Sequence, residues 1–355
     1  MGRTISIDNI SSFLQQGVPV YEIFNEDQRN DLCPIISNTE VQEKVVQCLQ
    51  ESEVFESNAY YCKLFLKSYI SCIEKEGYEL SEALYEVYCD PKILNAKELA
   101  PTDTITIHYP IGGFDSVPTT VVSIKETPKI ISGINTTGLR TWEAALFLSN
   151  YLNNFQNPPY DFGNKTILEL GGGTGLVSLA LLKYYSNHIR EIRDLVLTDG
   201  AVSVFDNFIE NTKLNGINVH DDVEKGPKIW CKQLLWGTTN PEDKENFTQD
   251  PIDDVDVIVA ADVTYDSTIL EPLCSTIHDF FRQSNTKVAI IAATVRNEET
   301  IANWEKELDK WFGKDSEHGS WTVKHHCKEP EKVHGHVWFR RNTPEIRIYE
   351  IQSKL

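Results

Sequence analysis

Hydrophobic residues follow two rhythms along this chain, and the change between them divides it. Over residues 1–100 they recur every three to four positions, the period of an amphipathic helix. Val41, Val45, Val46 and Cys48 predict a helix opened by Thr39. Tyr61, Leu64, Phe65 and Tyr69 predict a second, capped by Asn58 and stopped at Gly77. Leu84 and Val87 predict a third, opened by Ser81 and ended by Asp90-Pro91. This region reads as a helical domain for packing or partner docking, without a pattern that carries chemistry.

From Thr104 the period falls to two. Ile105, Ile107 and Tyr109 alternate, Gly112-Gly113 turns the chain, and Val121-Val122-Ser123-Ile124 runs back. That predicts a β-hairpin inside a connector spanning 101–131. Past Pro128 and Gly133 a helix begins near Thr141, and after Pro158-Pro159 strands and helices alternate. Predicted strands run from Thr166 to Leu170, Leu195 to Thr198, Ile229 to Gln233, Asp256 to Ala260 and Val288 to Ala293. Predicted helices run from Leu176 to Tyr185, Val202 to Leu214, Ile269 to Phe281 and Glu298 to Phe312. In the last, Ile301, Trp304, Leu308 and Trp311 form a core-facing stripe. Two closing strands, His336 to Arg340 and Ile346 to Ile351, flank a turn at Asn342-Thr343-Pro344. The fold class is α/β, with a seven-stranded sheet and helices on both faces over residues 132–355.

Composition narrows the partners. The 355 residues suffice for two cores, and 41% hydrophobic with 10% aromatic content excludes a disordered chain. A formal net charge of −20, from 53 acids against 33 Lys and Arg, disfavours nucleic acid, which is bound through clustered cations. A basic protein or a small molecule fits better. Eight cysteines without a CxxC pair read as reduced cytosolic thiols. No apolar run resembles a signal peptide or a membrane span. Gly2 and Ser6 match a myristoylation pattern, but no polybasic segment follows to hold a membrane. The expectation is a cytoplasmic monomer, and the acidic stretch Thr238 to Asp254 is expected as a solvated loop.

Chemistry concentrates at strand ends. Glu169-Leu170-Gly171-Gly172-Gly173-Thr174-Gly175 carries a buried strand through a glycine turn into a helix. Gly171 and Gly173 would allow close backbone approach to a ligand, and the helix start offers unpaired N–H groups. The dinucleotide fingerprint needs glycine where Leu176 stands, and a P-loop needs a terminal Gly-Lys-Ser/Thr. Asp199 ends the next strand, where an acid can accept both ribose hydroxyls or simply cap a helix. Asp262 and Tyr265 end a later strand at the same edge. Trp236 stands there too, either stacking on a base or packing in the core. His325-His326-Cys327 and His334-Gly335-His336 lack a partner pair at zinc-ligand spacing, and alternation would turn His334 and His336 to solvent, so no metal is expected.

The Glu-x-Gly-x-Gly-x-Gly arrangement resembles motif I of class I methyltransferases, whose cofactor is S-adenosylmethionine. Together with Asp199, Trp236 and Asp262-x-x-Tyr265, it resembles the seven-β-strand protein-lysine methyltransferases of family 16. The stretch Thr137 to Ala145 is similar to the segment ahead of motif I in that group, with Glu143 where many relatives have proline. The helical N-terminal region and Ser132 to Gly138 most resemble the eukaryotic elongation factor 2 lysine methyltransferases. The resemblance implies a Rossmann-like methyltransferase sheet. It also implies cofactor contacts at Trp142, Glu169, Gly171, Gly172, Gly173, Gly175, Asp199, Trp236 and Ala261. Asp262 and Tyr265 are the implied catalytic residues where the target amine enters. The protein substrate so implied is elongation factor 2. Another protein, RNA or a small molecule as acceptor, and a non-catalytic cofactor-binding scaffold, stay open at this level.

Overall fold

The computed structural model describes all residues except 1–4, 25–28, 113, 115–119, 128–136, 155–156, 187–190, 218–225, 238–251, 253 and 334. Gly2, Gly113, Pro128, Gly133, His334 and nearly all of the acidic stretch therefore lie outside the described residues, as does Ser132 to Thr136.

Helices α1 (Ile7–Gln15), α2 (Val20–Ile23), α3 (Arg29–Ile36), α4 (Thr39–Glu51), α5 (Glu53–Ser57), α6 (Ala59–Lys75), α7 (Glu82–Tyr88) and α8 (Pro91–Leu94) build the N-terminal region. Asn58 and Ser81 cap α6 and α7 as expected, each accepting a backbone N–H at its side chain. Two readings are corrected. Asn38, not Thr39, caps α4, accepting from Glu40 N at 2.8 Å. Asp90-Pro91 does not merely end α7 but starts α8, because proline at the first helical position has no N–H to waste.

Strands β1 (Ile105–Ile111) and β2 (Thr120–Glu126) form the antiparallel hairpin. Then follow α9 (Glu143–Leu152), β3 (Thr166–Leu170), α10 (Leu176–Tyr185), β4 (Asp194–Asp199), α11 (Ser203–Leu214), β5 (Lys228–Gln233) and β6 (Val257–Ala261). The chain closes with α12 (Leu270–Gln283), β7 (Val288–Thr294), α13 (Glu298–Phe312), β8 (Gly319–Cys327) and β9 (Ile346–Ser353). The sheet order is β5-β4-β3-β6-β7-β9-β8, parallel from β5 to β7 and antiparallel through β9 and β8.

Strand alternation sends side chains to two cores. Ile167, Leu197, Val259 and Ile290 pack with α9, α10 and the hairpin. Leu168, Val196, Ile258 and Ile291 pack on the other face with α12 and α13, where Trp304 is fully buried. The hairpin's outer edge is not left open for pairing with another chain. Lys125 N donates to Asn211 Oδ1 at 2.8 Å and Ser123 N to Asn215 Oδ1 at 2.9 Å, so α11 side chains cover it.

The C-terminal strands need correction. His336 to Arg340 forms no strand; the missing sheet member is β8, which holds His325 and His326. The alternation at 337–339 is real but serves two cores. Val337 and Phe339 enter the sheet domain, while Trp338 points the other way into the helical core. There its ring meets Phe13 edge-on at 4.7 Å, and its Nε1 donates to Glu22 Oε2 at 2.9 Å. Gln16 Nε2 donates to His336 O at 2.7 Å, so His336 lies in this seam and not on a solvent-facing strand. The loop between β8 and β9 thus pins the two regions together.

Candidate active site

Between β3 and β6 the strand order reverses, and at such a switch point the carboxyl ends of the strands diverge and leave a crevice. A cleft of about 520 Å³ opens there, within the range of small-molecule sites. Trp142, Glu169, Gly171, Gly172, Gly173, Asp199, Trp236, Ala261, Asp262 and Tyr265 all line it. Gly175 does not. It caps α10 at φ +79°, and a Cβ there would lie 2.2 Å from the Phe208 ring.

The other glycines also have protein reasons, so the turn does not by itself require a ligand. A Cβ on Gly171 (φ +65°) would fall 2.8 Å from Val263 Cγ1, and one on Gly172 would fall 2.6 Å from Leu197. Gly173 (φ +51°) lets the Gly138 backbone pass at 3.2 Å from its Cβ position. The segment ahead of α9 is laid over the loop in this way. Thr141 Oγ1 meets Thr174 Oγ1 at 2.8 Å, and Thr141 N donates to the buried Glu126, which Tyr109 OH also holds at 2.7 Å.

Two acids lie beneath the loop. Asp199 accepts from Gly173 N at 3.1 Å on Oδ2 and from Ala201 N at 2.9 Å on Oδ1. Each oxygen keeps a second lone pair, enough for two hydroxyls of a ribose. Burial raises its carboxyl above the ordinary value, and the N–H groups oppose that shift. Glu169 borders the cleft but is only 2% exposed, accepting from Ser178 N at 3.1 Å and from Ser178 Oγ. Burial pushes its carboxyl up to about 7, against the pull of those bonds. It therefore braces the loop by anchoring α10.

Part of the lining is apolar, from Leu234, Leu235, Trp236, Ile269 and Pro272. That set suits a purine face, as the carboxylate suits its sugar, so the cleft fits S-adenosylmethionine. Asp262 sits in left-handed backbone (φ +54°), a conformation held by its own carboxylate. Oδ1 accepts from Thr294 N at 3.1 Å; Oδ2 accepts from Arg296 Nη2 at 2.9 Å and from Ala144 N at 3.4 Å. Tyr265 stands at the mouth, 59% exposed.

Arg140 lies in the stretch ahead of motif I without an assigned role, and Arg296 lies outside every motif. Their guanidinium carbons lie 4.4 and 4.8 Å from the Trp142 ring, and only the folded chain brings them there. The histidine run of β8 splits across its strand. His325 packs on Phe147 at 5.5 Å, while His326 pairs with Glu345. Among the described residues no group of three or more metal-ligating side chains is assembled, and no helix is long and apolar enough to cross a membrane.

Comparison with known proteins agrees with this geometry. A family profile described as lysine methyltransferase matches residues 125–311. Protein-lysine N-methyltransferase EFM3 of Saccharomyces cerevisiae is 32% identical over 281 residues, covering 72% of this chain and 75% of its own. Protein-lysine N-methyltransferase EEF2KMT of Homo sapiens is 30% identical over 256 residues, covering 70% of each chain. The chain belongs to the lysine methyltransferase family, and it works as an S-adenosylmethionine-dependent protein-lysine methyltransferase.

Proposed function

We propose that this enzyme methylates a lysine of eukaryotic elongation factor 2, acting as a cytoplasmic monomer. The human relative named EEF2KMT supports that substrate. Its alignment covers 70% of the chain, more than residues 132–355 contain, so the likeness reaches into the region ahead of the sheet domain. The net charge of −20 suits a basic docking partner better than RNA.

Bound S-adenosylmethionine supplies a methyl group activated on a sulfonium. In this reading Asp199 takes the ribose hydroxyls, backbone at Gly171, Gly172 and Gly173 cradles the amino-acid part, and Trp236 covers the base. Ala261 and Trp142 border the reacting end, while Gly175 and Glu169 hold the loop's shape. The attacking lysine must be a neutral amine, which an apolar approach favours by desolvating the charged form. Asp262 orients that amine: three of the roughly four lone-pair sites of a carboxylate are taken by Thr294, Arg296 and Ala144, and one remains on Oδ1. Tyr265 walls the approach. Chemistry here is mainly alignment, since methyl transfer is an in-line displacement.

The observation that carries the reading is this carboxylate, fixed at the cleft floor with a single acceptor direction to spare. Labelled S-adenosylmethionine with whole-cell lysate and with purified elongation factor 2 tests the substrate. Label on RNA, on a metabolite or on another protein rejects it. Asp262→Ala should abolish turnover with cofactor affinity largely kept; loss of affinity with normal turnover at saturation rejects the role of Asp262.

A further inference from the structure

Arg296 lies two residues beyond β7, outside every motif, yet it joins three segments of the site. Its Nη2 donates to Asp262 Oδ2 at 2.9 Å and to Glu143 Oε2 at 3.2 Å, and its guanidinium carbon is 4.8 Å from the Trp142 ring. Arg140 shares the same ring at 4.4 Å, with its Nη2 3.6 Å from Glu143 Oε1. The start of α9, the end of β6 and the end of β7 are thereby tied at one point. Asp262 and Glu143 are largely buried there, with side chains 8% and 18% exposed.

We propose that Arg296 is a positioning residue for methyl transfer: it aims the Asp262 carboxylate and keeps the entering amine uncharged. The proposal rests on the reading of Asp262 given above. Two consequences follow from the geometry. Without the guanidinium, Oδ2 keeps only the long bond from Ala144, and the carboxylate can rotate away from the amine. Charge also matters. Among the described residues, the charged groups that face Arg296 are Glu143 from α9, Arg140 ahead of it and Asp262 after β6, two carboxylates balanced by two guanidiniums. Removing Arg296 leaves a net negative site, which favours a charged ammonium that cannot attack.

The test uses the purified acceptor protein that the wild-type enzyme labels in lysate. Arg296→Gln should lower kcat by about 10- to 100-fold, the loss expected from a small misplacement. Its affinity for S-adenosylmethionine should stay within about threefold, because the loop and Asp199 are untouched. The rising limb of its kcat profile, which reports the amine in the bound complex, should move up by about one pH unit. Arg296→Lys should restore the limb but not all of kcat, since an ammonium keeps the charge and lacks the planar fork. In the double variant with Asp262→Asn the losses should not multiply. Multiplying losses, or a limb unmoved in Arg296→Gln, would overturn the proposal. A slow Asp262→Asn beside a normal Arg296→Gln sinks it alone, whereas a normal Asp262→Asn sinks the Asp262 reading beneath it.

Discussion

Replacing Glu169 with glutamine should flatten the acid side of the enzyme's stability curve. The side chain is 2% exposed, and burial raises its carboxyl from 4.5 to about 7 in the folded chain. Between those values the native state holds a proton that the unfolded chain releases, so stability falls as pH rises through the window. At about 1.4 kcal/mol per pKa unit, the whole effect is about 3 kcal/mol, with about 2.5 kcal/mol of it lost between pH 5 and pH 8. Glutamine keeps the shape, and its oxygen can accept both Ser178 bonds. Its amide nitrogen adds a buried donor, at a cost of about 1–3 kcal/mol that does not depend on pH. Urea unfolding of both proteins at several pH values separates the two effects. The difference between them should change by about 2.5 kcal/mol across that range, in the direction that favours wild type at low pH. Parallel curves would refute the argument, because they would mean that Glu169 is ionised in the fold as readily as outside it.

Three further outcomes can be measured. Asp199→Asn should weaken S-adenosylmethionine binding at least about tenfold by calorimetry, about 1.4 kcal/mol, because the amide must turn an N–H toward Gly173 or Ala201; unchanged affinity would remove Asp199 from the ribose site. Gly175→Ala combines left-handed backbone with a Cβ 2.2 Å from Phe208, and should cost about 2–4 kcal/mol in thermal unfolding; an unchanged Tm would count against the packing described. Trp338→Ala should cost about 3–5 kcal/mol and speed proteolysis of residues 5–94, and equal cleavage rates would show that the ring does not pin the two regions.

Local sequence determined much of this protein. The strands β3, β4, β6 and β7 and the helices α10 and α13 were legible to within a residue or so, because burial on both sides of a sheet or along one helix stripe writes its period into the chain. Most of the cleft's contributors were legible for a related reason: they stand where parallel strands end, whereas Trp142 stands ahead of α9. Strand β8 was not, since most of it faces solvent at the sheet edge and shows no apolar alternation. Residues 337–339 alternate without forming a strand, because two different cores claim their two sides. The glycine loop was visible but its cause was not. Val263, Leu197, Gly138 and Phe208, which occupy the space that side chains there would need, are brought in by the fold. Arg296 is the extreme case. Thirty-four positions separate it from Asp262, and no local pattern marks either partner for the other. Their meeting depends on β6 and β7 lying side by side, which a choice of strand order decides, and strand order is a property of the whole sheet.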